Sequence, residues 1–167
     1  MNILPVIFFV SGVSVLVIMF GVTNMNTLTA VAQTSCHGQI ATIEGTLGND
    51  VIVGTDGNDV INALDGNDVV YGLAGNDIIC GGIGYDILYG GEGNDILHGM
   101  NNNDFLYGDS GNDKLWGEGG DDTLYGGDGE DILDGGTGSN NLLDTGADIK
   151  LTGKITSPND ICIGTCP

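Results

Sequence analysis

Residues 45–143 read, nine at a time, GTLGNDVIV, GTDGNDVIN, ALDGNDVVY, GLAGNDIIC, GGIGYDILY, GGEGNDILH, GMNNNDFLY, GDSGNDKLW, GEGGDDTLY, GGDGEDILD and GGTGSNNLL. No residue is inserted or lost between these copies. Position 4 is Gly except at Asn102, and position 8 is always Ile, Val or Leu. A strict short period is typical of a solenoid, because so small a unit cannot bury its apolar residue alone and must stack on its neighbours.

Each copy divides into a turn half and a strand half. Positions 1 to 6 are rich in Gly, Asn and Asp, which tolerate positive φ and form tight turns. Positions 7 to 9 are mostly Val, Ile, Leu, Phe and Tyr, which suit a short strand whose central residue points inward. The sequence therefore predicts an all-β fold, a parallel β-roll (a two-sheet β-solenoid) with two nonapeptide repeats per coil.

Position 6 supplies the candidate metal ligands, which are Asp50, Asp59, Asp68, Asp77, Asp86, Asp95, Asp104, Asp113, Asp122 and Asp131. Turns two copies apart lie above each other in such a roll, so these aspartates are expected to form two columns. Stacked carboxylates repel one another unless a cation lies between them. A cage of carboxylates and turn carbonyls, without imidazole or thiolate, favours Ca²⁺ over Zn²⁺, Cu²⁺ or Mg²⁺.

The copies resemble the G-G-x-G-x-D-x-U-x nonapeptide of the repeats-in-toxin (RTX), or haemolysin-type, calcium-binding proteins. The resemblance covers residues 45–143. It implies a parallel β-roll that holds Ca²⁺ between successive turns on each side, with the position-6 aspartates as side-chain ligands. The chain departs from the pattern at Ala63, which replaces the first Gly, at Asn102, and at Asn140, which stands in place of an eleventh Asp and is expected to end its column.

The charge of the chain agrees with a cation-loaded roll. The formal net charge is −20, and all 23 acidic residues lie beyond residue 40. Four gaps per column would hold up to about eight Ca²⁺, whose charge would leave about −4. Without metal, so acidic and glycine-rich a chain is expected to be disordered. A disordered acidic linker is the alternative, but linkers do not keep a nine-residue phase with an apolar position 8.

The flanking segments predict secretion. Residues 1–32 are expected to be a signal peptide, because an apolar run ends in the small-x-small sequence Ala30-Val31-Ala32. No Lys or Arg precedes that run, and it is long enough to remain as a membrane anchor, so both outcomes stay open. Either one places the repeats in a secreted or cell-surface, extracellular location. Residues 33–44 are expected to form an N-terminal cap and residues 144–167 a C-terminal cap.

Position 9 suggests a second hypothesis for function. On one sheet it places Tyr71, Tyr89, Tyr107 and Tyr125 in one column. We expect this aromatic ladder to stabilise the sheet through neighbour packing. The alternative is an adhesion or surface-recognition face for an extracellular glycan or protein partner. The other sheet places His98 beside Cys80, but two isolated ligands do not predict a soft-metal site.

The four cysteines of a secreted chain predict disulfides, and Cys36–Cys80 with Cys162–Cys166 is the favoured pairing.

The segment Asp144-Thr145-Gly146-Ala147-Asp148 resembles the catalytic segment of retroviral-type aspartic proteases. The residues after it leave no room for a flap or a substrate cleft, so we interpret it as a degenerate final turn. With three Lys and no Arg, nucleic-acid binding is excluded electrostatically. We predict no enzyme activity.

Overall fold

The computed structural model describes residues 34–143 in full and the backbone of residues 8–10, 13–15 and 161–163. The chain divides into two compact units, Met1–Gln33 and Thr34–Pro167. In the first unit, β1 (Phe8–Val10) pairs antiparallel with β2 (Val13–Val15). Within these described parts, no helix has the length and apolar character needed to cross a membrane. The predicted cleavage point after Ala32 lies outside the described residues, so the signal peptide stays a prediction.

The second unit is built from two parallel sheets. A seven-stranded sheet contains, in sequence order, β6 (Val51–Val53), β8 (Val69–Ala74), β10 (Ile87–Glu92), β12 (Phe105–Ser110), β14 (Thr123–Asp128), β16 (Asn141–Leu143) and β17 (Ile161–Ile163). A six-stranded sheet contains β5 (Ile43–Glu44), β7 (Val60–Asp65), β9 (Ile78–Ile83), β11 (Ile96–Asn101), β13 (Lys114–Gly119) and β15 (Ile132–Asp134). Successive copies alternate between the sheets, and Ile87 pairs with Val69 and Phe105, two copies away on either side. The predicted parallel β-roll with two nonapeptides per coil is confirmed.

The core of the roll is the column of position-8 side chains between the two sheets. These residues are buried and form one cluster: Ile52, Ile61, Val70, Ile79, Leu88, Leu97, Leu106, Leu115, Leu124, Leu133 and Leu142. Burying one such side chain contributes about 1.5–3 kcal/mol, so a single copy cannot hold itself folded and the stack must form together. The inward direction predicted for position 8 is confirmed.

The strands are longer than the sequence predicts. Three-residue strands were expected at positions 7 to 9, but the inner strands run six residues, through positions 1 to 3 of the next copy. In β10, for example, Leu88 and Gly90 both face inward and are buried. Glycine has a low strand propensity, so the glycines at positions 1 and 2 gave no sign in the sequence that the strand continues through them. The strand continues because parallel partners above and below satisfy its backbone groups.

A disulfide attaches the N-terminal segment to the roll. Strands β3 (Ser35–Cys36) and β4 (Gln39–Ile40) form an antiparallel hairpin, and its turn residues His37 and Gly38 both have positive φ. The disulfide joins Cys36 to Cys80 of β9, as predicted. Ile43 in β5 pairs with Ile61 and packs against the core. The predicted Cys162–Cys166 bridge and the segment Asp144–Asp148 depend on residues outside those described, and the boundaries of both caps stay predictions.

Candidate metal sites

The structure brings the position-6 aspartates together in two columns, as predicted. One column contains Asp50, Asp68, Asp86, Asp104 and Asp122; the other contains Asp59, Asp77, Asp95, Asp113 and Asp131. All are buried except Asp50, which is half-buried in the first coil. Within each column, the backbone N–H of one aspartate donates to Oδ1 of the aspartate one coil further on, as Asp68 does to Asp86 at 2.8 Å. From Asp68 onward, each carboxylate in the columns therefore links two coils.

The second carboxylate oxygen differs between the first copies and the inner ones. In the first copies, Oδ2 of Asp50 accepts from the backbone N–H of Thr46 at 2.7 Å, and Asp59 accepts in the same way from Thr55. Further along, within the described part of the chain, Oδ2 is buried and accepts no hydrogen bond at Asp68, Asp77, Asp86, Asp95, Asp104, Asp113 and Asp122. A buried carboxylate oxygen without a donor is costly, and a cation would satisfy it.

Position-1 glycines make the space into which these oxygens point. A Cβ added at Gly81 would lie 2.5 Å from Oδ2 of Asp86, so a side chain there would overlap the carboxylate. The carbonyl oxygen of the next coil approaches the same place. At Gly90, the Cβ position overlaps Oδ2 of Asp95 and lies 2.9 Å from the carbonyl oxygen of Gly108. Carboxylate and carbonyl oxygens from neighbouring coils thus converge, and such hard oxygen donors fit Ca²⁺.

Burial makes the ionised aspartates unfavourable when no cation is present. Desolvation raises the pKa of Asp86, Asp95 and Asp122 to about 6, that of Asp113 to about 7 and that of Asp104 to about 8. The bond from the neighbouring coil's N–H lowers each pKa, but it offsets only part of this effect. Repulsion from other carboxylates, such as Asp86 beside Asp104, raises the pKa further. Burial therefore disfavours the ionised carboxylates of these columns, and a bound cation would offset that cost.

Asn140 follows Asp122 in the first column, one coil further on. Its side-chain Oδ1 accepts from the backbone N–H of Asp122 at 2.7 Å. The amide thus reproduces the hydrogen bond that an aspartate makes elsewhere, without its charge. The coil-to-coil hydrogen bond therefore does not require a negative charge. In this chain the acceptor is an aspartate in the inner coils and the neutral amide of Asn140 after Asp122.

Sequence reasoning missed a second ladder, made by position 5. The Oδ1 atom of Asn58 accepts from the backbone N–H of Asn76 at 2.8 Å, and Asn76 accepts from Asn94 at 2.7 Å. Comparable bonds use Asn49, Asn67, Asn94, Asn103, Asn112 and Asp121 as acceptors. The repeated Asn before the position-6 Asp was the available signal, because a short amide can accept from the turn stacked on it.

The predicted tyrosine ladder is present on the seven-stranded sheet. Ring centroids are 5.0 Å apart between Tyr71 and Tyr89, and 4.8 Å apart both between Tyr89 and Tyr107 and between Tyr107 and Tyr125. The planes differ by 11° or less. Each inner ring therefore covers its neighbours' faces, so the ladder presents ring edges and hydroxyl groups to the outside.

Comparison with known proteins agrees with this geometry. A family model described as "RTX calcium-binding nonapeptide repeat (4 copies)" matches residues 44–79, 53–88, 71–106, 80–115 and 107–142. Together these matches span residues 44–142, which is more than half of the chain. A search of curated proteins finds no match.

Proposed function

Since this chain belongs to the RTX calcium-binding nonapeptide repeat family, whose repeats bind calcium, we propose that its roll holds several Ca²⁺ ions between stacked turns and folds on binding them. The ligands would be the position-6 aspartates of the two columns together with turn carbonyls. The observation that carries this assignment is the row of buried Oδ2 atoms that accept no hydrogen bond, beside carbonyl oxygens of the next coil. The bound ion would supply the positive charge that the stacked carboxylates lack.

The same assignment explains why folding would depend on calcium. Extracellular calcium modules bind at roughly 0.1–1 mM, so at millimolar Ca²⁺ each site contributes about 0.5–1.5 kcal/mol. Summed over up to about eight sites, that approaches the stability of an ordinary domain. The apolar core is only one residue wide, so hydrophobic burial alone gives the roll limited stability. We therefore propose a structural role for the roll rather than a catalytic one.

We also propose that the protein is secreted, or anchored at the cell surface if residues 1–32 are retained. Proteins with RTX repeats are usually secreted, and millimolar Ca²⁺ is found outside the cell. The Cys36–Cys80 disulfide supports an oxidising compartment. Within this scheme, residues 33–44 and 144–167 would act as the two caps of the roll at residues 45–143.

Replacing Asp86 with Asn tests the ligand assignment. The amide keeps an acceptor for the N–H of Asp68, as Asn140 does for Asp122, but it removes the charge. We expect the calcium midpoint to rise about tenfold, which corresponds to about 1.4 kcal/mol, while the variant still folds at saturating Ca²⁺. A calcium titration followed by circular dichroism measures both the midpoint and the β-structure reached at saturation.

The matched control is Asp65→Asn, which removes the same charge from an exposed carboxylate at position 3. We expect it to leave the calcium midpoint within about twofold of the parent's, as for a screened surface charge. If Asp65→Asn and Asp86→Asn shift the midpoint equally, general charge and not ligation is responsible. Asp95→Asn extends the test to the second column.

The second candidate function is recognition of a glycan or protein by the tyrosine ladder. The supporting observation is that the ladder is continuous and borders a shallow depression lined by Tyr71, Leu73, Tyr89, Glu92, Asp109 and Ser110. The stacked rings offer edges and hydroxyls, which suits hydrogen bonding to a partner more than stacking of sugars on aromatic faces.

Changing Tyr89 and Tyr107 together to Ser separates packing from recognition. Loss of the three stacked contacts that involve these rings should cost about 0.5–3 kcal/mol of stability. Calcium-dependent folding is followed by circular dichroism, and binding to cell surfaces or immobilised glycans is followed at saturating Ca²⁺. A purely structural ladder predicts weaker folding with unchanged binding, whereas lost binding by a fully folded variant would favour recognition.

A further inference from the structure

A histidine pair lies on the outer face of the six-stranded sheet, outside the aspartate columns. His37 Nδ1 is 2.8 Å from His98 Nε2, and His98 Nδ1 is 2.7 Å from Glu118 Oε1. The indole of Trp116 stacks on His98 with ring centroids 4.8 Å apart. His98 is 14 % exposed, while Glu118 is 45 % exposed. The calcium-binding role uses none of these side chains.

The fold holds this pair in place from two directions. His98 lies in β11, beside Cys80 of β9 on one side and Trp116 of β13 on the other. The Cys36–Cys80 disulfide fixes the hairpin whose turn begins at His37. The contact between the two histidines could not be predicted from the sequence, because 61 residues separate them.

The hydrogen bonds define which nitrogen is available. A proton on His98 Nδ1 is donated to Glu118, so His98 Nε2 carries a lone pair directed at His37. His37 Nδ1 faces that lone pair, and the two nitrogens share one proton. A histidine that donates its other ring N–H to a carboxylate is the usual arrangement of a histidine metal ligand, because the carboxylate fixes the tautomer and orients the ring.

We propose that His37 Nδ1 and His98 Nε2 bind a divalent transition-metal ion, Zn²⁺ or Cu²⁺, in place of the shared proton. Glu118 orients His98 and is a positioning residue. Metal–nitrogen bonds of about 2.0–2.1 Å at a tetrahedral angle need nitrogens about 3.3 Å apart. The pair must therefore open by about 0.5 Å from its present separation. His37 is exposed at a hairpin turn, so its side chain can make this movement.

Two imidazoles distinguish this site from the calcium columns. Imidazole suits Zn²⁺ and Cu²⁺, whereas carboxylates and carbonyls suit Ca²⁺. Among the described residues, no third His, Cys, Asp or Glu side chain completes a metal-binding group with His37 and His98. The site thus has two protein ligands, and water completes the coordination. We expect an open, exchangeable site of modest affinity.

The test uses Cu²⁺ as the probe, on the calcium-saturated protein. Trp116 is the only tryptophan in the chain and stacks on His98, so Cu²⁺ bound there should quench its fluorescence. We expect saturable quenching with one equivalent of Cu²⁺. His37 lies in the hairpin before the roll, so His37→Gln should leave the fold intact. This substitution should weaken the apparent affinity for Cu²⁺ at least tenfold. Glu118→Gln should weaken it by about 10- to 100-fold, as for other carboxylates that orient a histidine ligand.

The controls separate this site from other ways of binding Cu²⁺. Glu92→Gln removes a carboxylate from the opposite sheet and should leave the quenching curve unchanged. Cys36→Ser with Cys80→Ser releases the hairpin and should weaken binding as His37→Gln does. Circular dichroism in Ca²⁺ confirms that each variant is folded. An unchanged curve for His37→Gln, or quenching that disappears as Ca²⁺ is raised, would overturn the proposal.

Discussion

Replacing Gly84 with Ala should lower the free energy of unfolding of the calcium-loaded roll by about 3 kcal/mol or more. Gly84 is a position-4 turn residue with φ of 147°, a backbone conformation that other residues rarely adopt. A Cβ there would also overlap the carbonyl oxygen of Gly66 in the preceding coil. The carbonyl group of Gly66 cannot give way, because it is part of the backbone of a stacked turn. Urea unfolding in excess Ca²⁺ measures the change.

Gly48→Ala is the matched control for that substitution. Gly48 is also a position-4 glycine, but a Cβ there would meet no atom within 4 Å, and its φ is not in the left-handed region. We expect a change within about 0.5 kcal/mol. Equal losses for Gly48→Ala and Gly84→Ala would mean that close stacking of the turns does not limit this position.

Without calcium, the roll should lose stability as the pH rises from about 5 to about 9. Burial raises the pKa of Asp113 to about 7 and that of Asp104 to about 8 in the folded chain. An unfolded Asp titrates near 3.9. A pKa that is raised by folding contributes stability that is fully present below the unfolded value and is lost as the pH passes the folded value. Acid should therefore substitute in part for the metal.

With saturating calcium, the direction should reverse. Ca²⁺ binds the ionised carboxylates, so protons compete with it and the loaded roll should gain stability as the pH rises through the same range. For the chain after residue 32, circular dichroism in metal-free buffer measures the first slope as β-structure that appears towards about pH 5, and urea unfolding in excess Ca²⁺ measures the second. The sequence pI is about 4.1, so the series should stop at about pH 5 to limit association near that point. Slopes of the same sign in both conditions would contradict the assignment of the aspartate columns to calcium.

The repeating parts of the fold were predictable because the sequence repeats without a break. A fixed nine-residue phase sets which residue faces inward, so Leu88 and Leu97 can be assigned to the core from the sequence alone. The same phase places Tyr89 above Tyr71 and Asp86 above Asp68. These contacts follow from one rule, that residues two copies apart lie next to each other.

Features that depend on exact backbone placement were not predictable. Glycine at position 1 suggests a turn, although Gly90 lies inside a strand and leaves room beside Asp95. Asn76 looked like an ordinary turn residue, and its coil-to-coil hydrogen bond appears only once the turns are stacked. The contact between His37 and His98 depends on the hairpin before the roll, where the nine-residue rule does not apply.

Circular dichroism of the chain after residue 32, titrated with Ca²⁺ from excess chelator at neutral pH, tests calcium-dependent folding most directly. We predict a disordered chain in chelator and a cooperative gain of β-structure as Ca²⁺ reaches the millimolar range. A compact, fully ordered roll that persists in excess chelator at neutral pH would contradict it.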